Sequence, residues 1–268
     1  ILFFMNIVFI FSGLAFDLNF FESFYDMDYR FGYNGVFLAG NESSFVLISM
    51  LGFLYFRAYY ENGSKLFLLI ALLASLLSGM KAVYLFVILL LFFHLVQKMR
   101  KIHLVWLIPI GIYATTQVIG YIQSEEFQTL IAFFMRTLET KGLMHMMLSG
   151  RNEILMNESV QVLESWTFLN FLFGGRNVLV FIMEMDFFDL LLFFGGLGSL
   201  IYTYLFYKMF IQKLIWHKFF TFFTFSVLVL AFFGGHFLTS PTSAVYFSLV
   251  IIYFQNYRLK NYAKHPTN

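Results

Sequence analysis

Two neighbouring stretches, 66–78 and 83–96, contain no Asp, Glu, Lys or Arg and are apolar on every side. A surface helix would show a polar stripe with a 3.6-residue period, and a half-exposed strand would alternate every second residue. Neither pattern is present. A helix that is apolar all round is buried in a large core or in lipid. Similar runs recur along the chain, and apolar runs of roughly 17–25 residues match the hydrocarbon thickness of a bilayer. The other spanning architecture, a β-barrel, needs alternating apolar and polar residues, a pattern this chain lacks. An all-α polytopic integral membrane protein is therefore expected.

Composition agrees. Apolar residues make up 60% and charged residues 12% of the chain, and the mean hydropathy is +0.77, outside the soluble range. The absence of cysteine removes any disulfide framework or thiolate metal site. A net charge of +2, without a basic patch interleaved with aromatics, gives no reason to expect a nucleic-acid partner. No cleavable signal peptide is visible, and the chain opens at Ile1 inside an apolar run. It reads as the C-terminal part of a longer protein, with 1–268 forming a single membrane domain.

About eight transmembrane helices are expected, at 1–16, 36–56, 66–79, 81–97, 104–122, 185–207, 219–235 and 243–257. Arg57 and Lys65 flank one connection, and Lys98, Arg100 and Lys101 fill another. Lys208, Lys213 and Lys218 mark a third, and Arg258, Lys260 and Lys264 the C-terminal tail. These basic loops alternate with loops poor in Lys and Arg, which places them on the cytoplasmic side. The external side then holds 17–34, the 78–81 corner, a long loop of about 123–183 and the 234–243 corner. Helical spacing at 127–138 and 154–173 predicts helices lying on or dipping into the membrane surface.

The scarce external charges are the candidates for chemistry. Lys81 starts a span just after Ser78-Gly79, Arg151 sits in Ser-Gly-Arg, and Arg176 follows a glycine pair. Glu184, Asp186 and Asp189 precede or open the next span, and His236 sits in Gly-Gly-His at another external corner. Cations of this kind bind phosphate, arginine through two parallel hydrogen bonds. Carboxylates and histidine can take a proton from a hydroxyl or hold sugar hydroxyls. Each residue also has a plainer reading. Lys81 can snorkel to headgroups, and Arg151 and Arg176 can anchor to lipid headgroups or pair with Glu153, Glu158 or Glu164. His236 can be a satisfied interface histidine, and the abundant Phe can be lipid-facing packing. No phosphate-binding glycine loop, zinc-protease helix or nucleophile elbow is present, and no cluster has metal-ligand spacing. Asp26 and Asp28 form an isolated Asp-x-Asp.

Taken together, Ser149-Gly150-Arg151, the stretch containing Trp166, Phe173-Gly174-Gly175, the acidic group and Asp189 through Gly195-Gly196-Leu197-Gly198 resemble the O-antigen polymerase and ligase superfamily. Gly40-Asn41-Glu42-Ser43-Ser44 is similar to that family's Asn-rich helix start, and Ser78-Gly79-Met80-Lys81-Ala82 to its Ser-Arg-Gly-Ala corner. The resemblance covers roughly 36–250, on short motifs. Two departures stand out. Lys81 occupies the place of the family's corner arginine, which keeps the charge and loses the bidentate fork. Glu184 stands where ligases carry histidine, which points toward the capsule or O-antigen polymerases.

The resemblance implies a glycosyltransferase on the external face of the bacterial cytoplasmic (inner) membrane. It would join glycan repeat units carried on polyprenyl diphosphate, with one lipid-linked glycan as donor and a second as acceptor. Arg151, with Lys81 and Arg176, would bind the diphosphate. Glu184 or Asp186 would deprotonate the acceptor hydroxyl, with His236 as an alternative, and Asp189 would hold sugar. No metal and no cofactor is demanded. The implied partners are the two lipid-linked glycans, membrane lipids, and chain-length regulator or flippase proteins. A ligase-type transferase and a transporter of lipid-linked glycans are the competing expectations.

Overall fold

The apolar runs fold as helices, and no strand is formed among the described residues beyond one isolated bridge between Glu22 and Tyr33. The computed structural model describes residues 2–23, 31–37, 39–98, 125–148, 150–176, 185–212, 217–235 and 237–264. The helices are α1 Leu2–Phe16, α2 Gly40–Tyr60, α3 Lys65–Leu76, α4 Lys81–Lys98, α5 Glu125–Leu148 and α6 Arg151–Glu164. They are followed by α7 Phe168–Phe173, α8 Asp186–Phe206, α9 Lys218–Gly234 and α10 Pro241–Lys264. Seven of the eight expected spans fall on α1–α4 and α8–α10, and the span at 104–122 lies outside the described residues. The surface helix expected at 154–173 is divided into α6 and α7 at Ser165–Thr167.

The chain packs as two compact units, 1–89 with 166–268, and 90–165. In the first, α2 is the central helix. Its side chains from Ser43 to Gly52 are buried, and it packs against α3, α9 and α10. The core is aromatic. Phe220 and Phe254 stack at 4.3 Å, Phe56 meets both, and Phe223 stacks on Phe247. In the second unit, α5 packs on α6, and the helical path of α5 is interrupted at Gly142.

Helix length does not carry the expectation of eight crossings. Among the described residues one helix, Asp186–Ile211, is long and apolar enough to cross a membrane. Helices α1, α3, α4 and α9 have 12 to 18 residues. At 1.5 Å per residue they reach about 18–27 Å, against a hydrocarbon core of about 30 Å. Helices α2 and α10 have 21 and 24 residues, but polar residues dilute them, including Asn41, Glu42 and Arg57 in α2.

The long helix is itself divided. Gly195 sits at φ +64°, outside helical space, in the middle of α8. The Ser199 hydroxyl donates to the Leu190 carbonyl at 2.9 Å, whereas a straight helix would separate these residues by about 13.5 Å along its axis. The chain therefore folds sharply at Gly195. A Cβ there would collide with the backbone of Leu172, Phe173 and Gly174, and only glycine admits both the dihedral and this close approach. A single straight crossing over 185–207 is replaced by two helix halves.

Candidate functional site

The first turn of α8 places two carboxylates inside the protein. Asp186 is fully buried and Asp189 nearly so. Asp189 Oδ2 accepts the backbone N–H of Met185 at 3.2 Å, capping its own helix. Acids are favoured at this end because the first helical N–H groups lack intrahelical acceptors.

Asp186 reaches across to the connection between α9 and α10. Its Oδ2 accepts the N–H of Phe237 at 2.7 Å and that of Leu238 at 3.0 Å, and its Oδ1 accepts the Thr239 hydroxyl at 3.2 Å. Tyr202, on the other half of α8, donates its hydroxyl to the Leu238 carbonyl at 2.8 Å. Both halves of the broken helix thus bond to Leu238. The next residue, Ser240, donates to Glu42 Oε1 at 2.6 Å and accepts the N–H of Ser243 at 3.3 Å. It thereby caps α10, ahead of Pro241 at the first helical position. Phe237 also packs on Phe45 of α2, with ring centroids 4.9 Å apart.

The Lys81 corner abuts the same end of α2. Gly79 adopts φ +70°, and a Cβ on it would run into the Phe31 carbonyl. The Tyr33 N–H donates to Leu77 O at 2.9 Å, and the Ser23 hydroxyl donates to Asn34 Oδ1 at 2.6 Å while lying 3.0 Å from Ser78 O. Ser78 closes the turn by donating to Ser75 O at 2.7 Å. Met80 lies against Gly40, so close that a Cβ there would stand 2.8 Å from its methyl carbon. Lys81 itself is exposed at the start of α4.

Arg176 joins the same unit through its backbone, whose N–H donates to Leu192 O at 3.4 Å on the half of α8 that carries the acids. Arg151 belongs to the second unit. It is the first residue of α6, behind Gly150, whose N–H donates to His145 O at 3.0 Å. Glu153, a possible partner of Arg151 by sequence, lies 3.0 Å from His145 and 3.5 Å from Lys141.

Of the residues singled out by sequence, Asp186 is brought to the backbone that follows His236, and Arg176 to the helix of Asp186 and Asp189. Glu184, His236, Asp26 and Asp28 lie outside the described residues. Among the described residues, no group of three His, Asp or Glu side chains converges as metal ligands would. Sequence reasoning missed Glu42, Tyr202, Thr239 and Ser240. Two of these carried a readable signal: an acid in the first turn of an apolar helix, and Ser before Pro at a helix start.

No family model, curated protein or solved structure matches the chain.

Proposed function

We propose that this protein is a membrane-embedded glycosyltransferase that joins glycan repeat units carried on polyprenyl diphosphate, at the external face of the bacterial cytoplasmic membrane. The observation that carries the reading is that two buried acids and a segment bearing an arginine share one half of α8. Two buried acids open α8, the segment bearing Arg176 is bonded through its backbone to the same helix half, and Asp186 fixes the connection after His236. Polar residues are scarce in this chain, and buried charge amid apolar helices is a mark of function. The exposed surface supports immersion in lipid. Only 17% of the most apolar window of α8 is buried, and Leu85, Ile88, Leu91 and Phe92 form an outward stripe on α4.

In this reading the cations Arg176 and Lys81 stabilise charge developing on the diphosphate leaving group, and the diphosphate role of Arg151 is a proposal from the sequence resemblance. The acceptor hydroxyl loses its proton to Glu184 or His236. Asp186 is a poor base, because three donors already occupy its oxygens. Its role is to hold the 237–239 connection. Asp189, which caps its own helix, keeps the role of sugar contact as a proposal. The ligase-type transfer, in which the acceptor is a different lipid, differs only in what the acceptor site admits.

A transporter of lipid-linked glycans is the second reading, and the breaks at Gly195 and Gly142 favour it, because discontinuous helices line transporter sites. The test is direct. In cells making Arg176→Ala or Arg151→Ala at normal level, long-chain glycan should vanish while single repeat units still reach the surface. Normal chain length in both variants sinks the diphosphate role. Purified protein that carries lipid-linked repeats across vesicles without joining them decides for the transporter.

A further inference from the structure

Helix α7 has an unusual surface. Four of its six residues are large, apolar and open to the outside: Phe168 is 74% exposed, Leu169 64%, Phe171 50% and Phe173 60%. At 100° per residue these side chains spread over about 200° of the helix circumference. A helix docked into a protein groove buries one stripe, spaced i, i+3, i+4, i+7. A surface that is apolar over more than half its circumference suits a medium that surrounds the helix.

The single polar side chain of α7 is turned onto the helix ends. Asn170 Oδ1 accepts from the N–H of Thr167 at 3.0 Å and from its hydroxyl at 2.7 Å, and Asn170 Nδ2 donates to Gly174 O at 3.1 Å. Trp166 stands at the base of the helix, edge-on to Phe171 with centroids 5.3 Å apart. Arg176 follows on the other side. Tryptophan and arginine are the residues that sit at headgroup level. Gly174 is packed against the Phe193 carbonyl at the break in α8. Beyond the break, the second half of α8 exposes Leu197, Leu200, Ile201 and Leu205, so the apolar surface extends past α7.

We propose that residues 166–173 form an interfacial wedge, with α7 inserted into the headgroup and acyl-chain boundary of the bilayer. The occupant of this surface is lipid. The wedge pins the break at Gly195, and with it the segment bearing Arg176, at the level of the headgroups. This inference rests on the membrane reading above, and the experiment separates the two.

The chain lacks cysteine, so one introduced thiol is a unique site for a nitroxide label. Phe168→Cys is labelled in the full chain reconstituted in phosphatidylethanolamine and phosphatidylglycerol vesicles, and Leu169→Cys provides a second site should the first fail to fold. Ile88→Cys on α4, where the native residue is 62% exposed, is the membrane control. The wedge predicts several-fold greater relaxation by oxygen than by a water-soluble nickel chelate at 168 and 169, at shallow depth. Access to the chelate at 168 and 169 with a lipid signature at 88 overturns the wedge and leaves the membrane reading standing. Chelate access at all three sites overturns both. Spin–spin broadening at 168 would identify a second copy as the occupant and also overturn the proposal.

Discussion

The Asp186 carboxylate accepts the backbone N–H of Phe237 at 2.7 Å, across 51 residues of sequence. One oxygen of a buried acid thereby ties the start of α8 to the connection between α9 and α10. The Leu238 N–H shares that oxygen, and the Thr239 hydroxyl takes the other. The start of α8 and the connection between α9 and α10 are consequently one hydrogen-bonded assembly.

Removing that acceptor should be costly. Asp186→Ala leaves the buried Phe237 N–H, and that of Leu238, without their acceptor. A buried unsatisfied donor costs about 1–3 kcal/mol, so a loss of roughly 3 kcal/mol is expected. Asp186→Asn keeps an acceptor oxygen and should lose less than half as much. Chemical denaturation in detergent, followed by intrinsic fluorescence, measures both. Equal losses would show that acceptor geometry is not what the aspartate supplies.

Gly195→Ala should be destabilising by about 2 kcal/mol or more, because the new methyl meets backbone and the φ of +64° is strained for alanine. Gly234→Ala is the matched control. A Cβ there meets nothing within 4 Å, and alanine at the end of a helix should be neutral or stabilising by up to about 1 kcal/mol. Comparison of the two denaturation midpoints is the measurement. Similar midpoints would argue against a fixed break in α8.

Glu42 and Ser240 should prove energetically coupled. Their hydrogen bond, at 2.6 Å, joins the first turn of α2 to the N-cap of α10. A double-mutant cycle with Glu42→Ala and Ser240→Ala should return a coupling of about 1–2 kcal/mol, since the acceptor is a carboxylate. Additive losses would mean that the contact contributes nothing beyond its parts.

Lys81 tests the departure from the resembled corner motif. If the exposed ammonium binds diphosphate as a point charge, Lys81→Met should lower polymer formation about tenfold or more. Lys81→Arg should retain or raise it, because the guanidinium fork fits phosphate oxygens in two places. Chain-length profiles of surface glycan, at matched protein level, supply the readout. Unchanged profiles in Lys81→Met would remove Lys81 from the site.

Much of the helix inventory was legible because apolarity is local. The runs at 66–79 and 81–97 are α3 and α4 within a few residues, and the interruption at Ser78-Gly79 is where the chain turns. The break inside α8 was less legible. Gly195-Gly196-Leu197-Gly198 was visible as a motif, but glycine alone does not interrupt a helix; the close approach of Gly174 makes the interruption specific. The partners of Asp186 were not legible for a similar reason. Its position at a helix start suggested chemistry, whereas its partners come from residues more than fifty positions away.

The sequence by itself determined the helical class, the places where the chain must turn and the scarcity of charge, because these follow from side-chain polarity and backbone freedom residue by residue. Tertiary structure alone decided that α8 folds back at Gly195, that the Ser240 hydroxyl donates to Glu42, and that α7 turns its Phe and Leu side chains outward. Those features depend on which backbones approach one another and on which buried donors find acceptors. Such pairings are fixed by packing across long separations, and no local stretch of sequence encodes them.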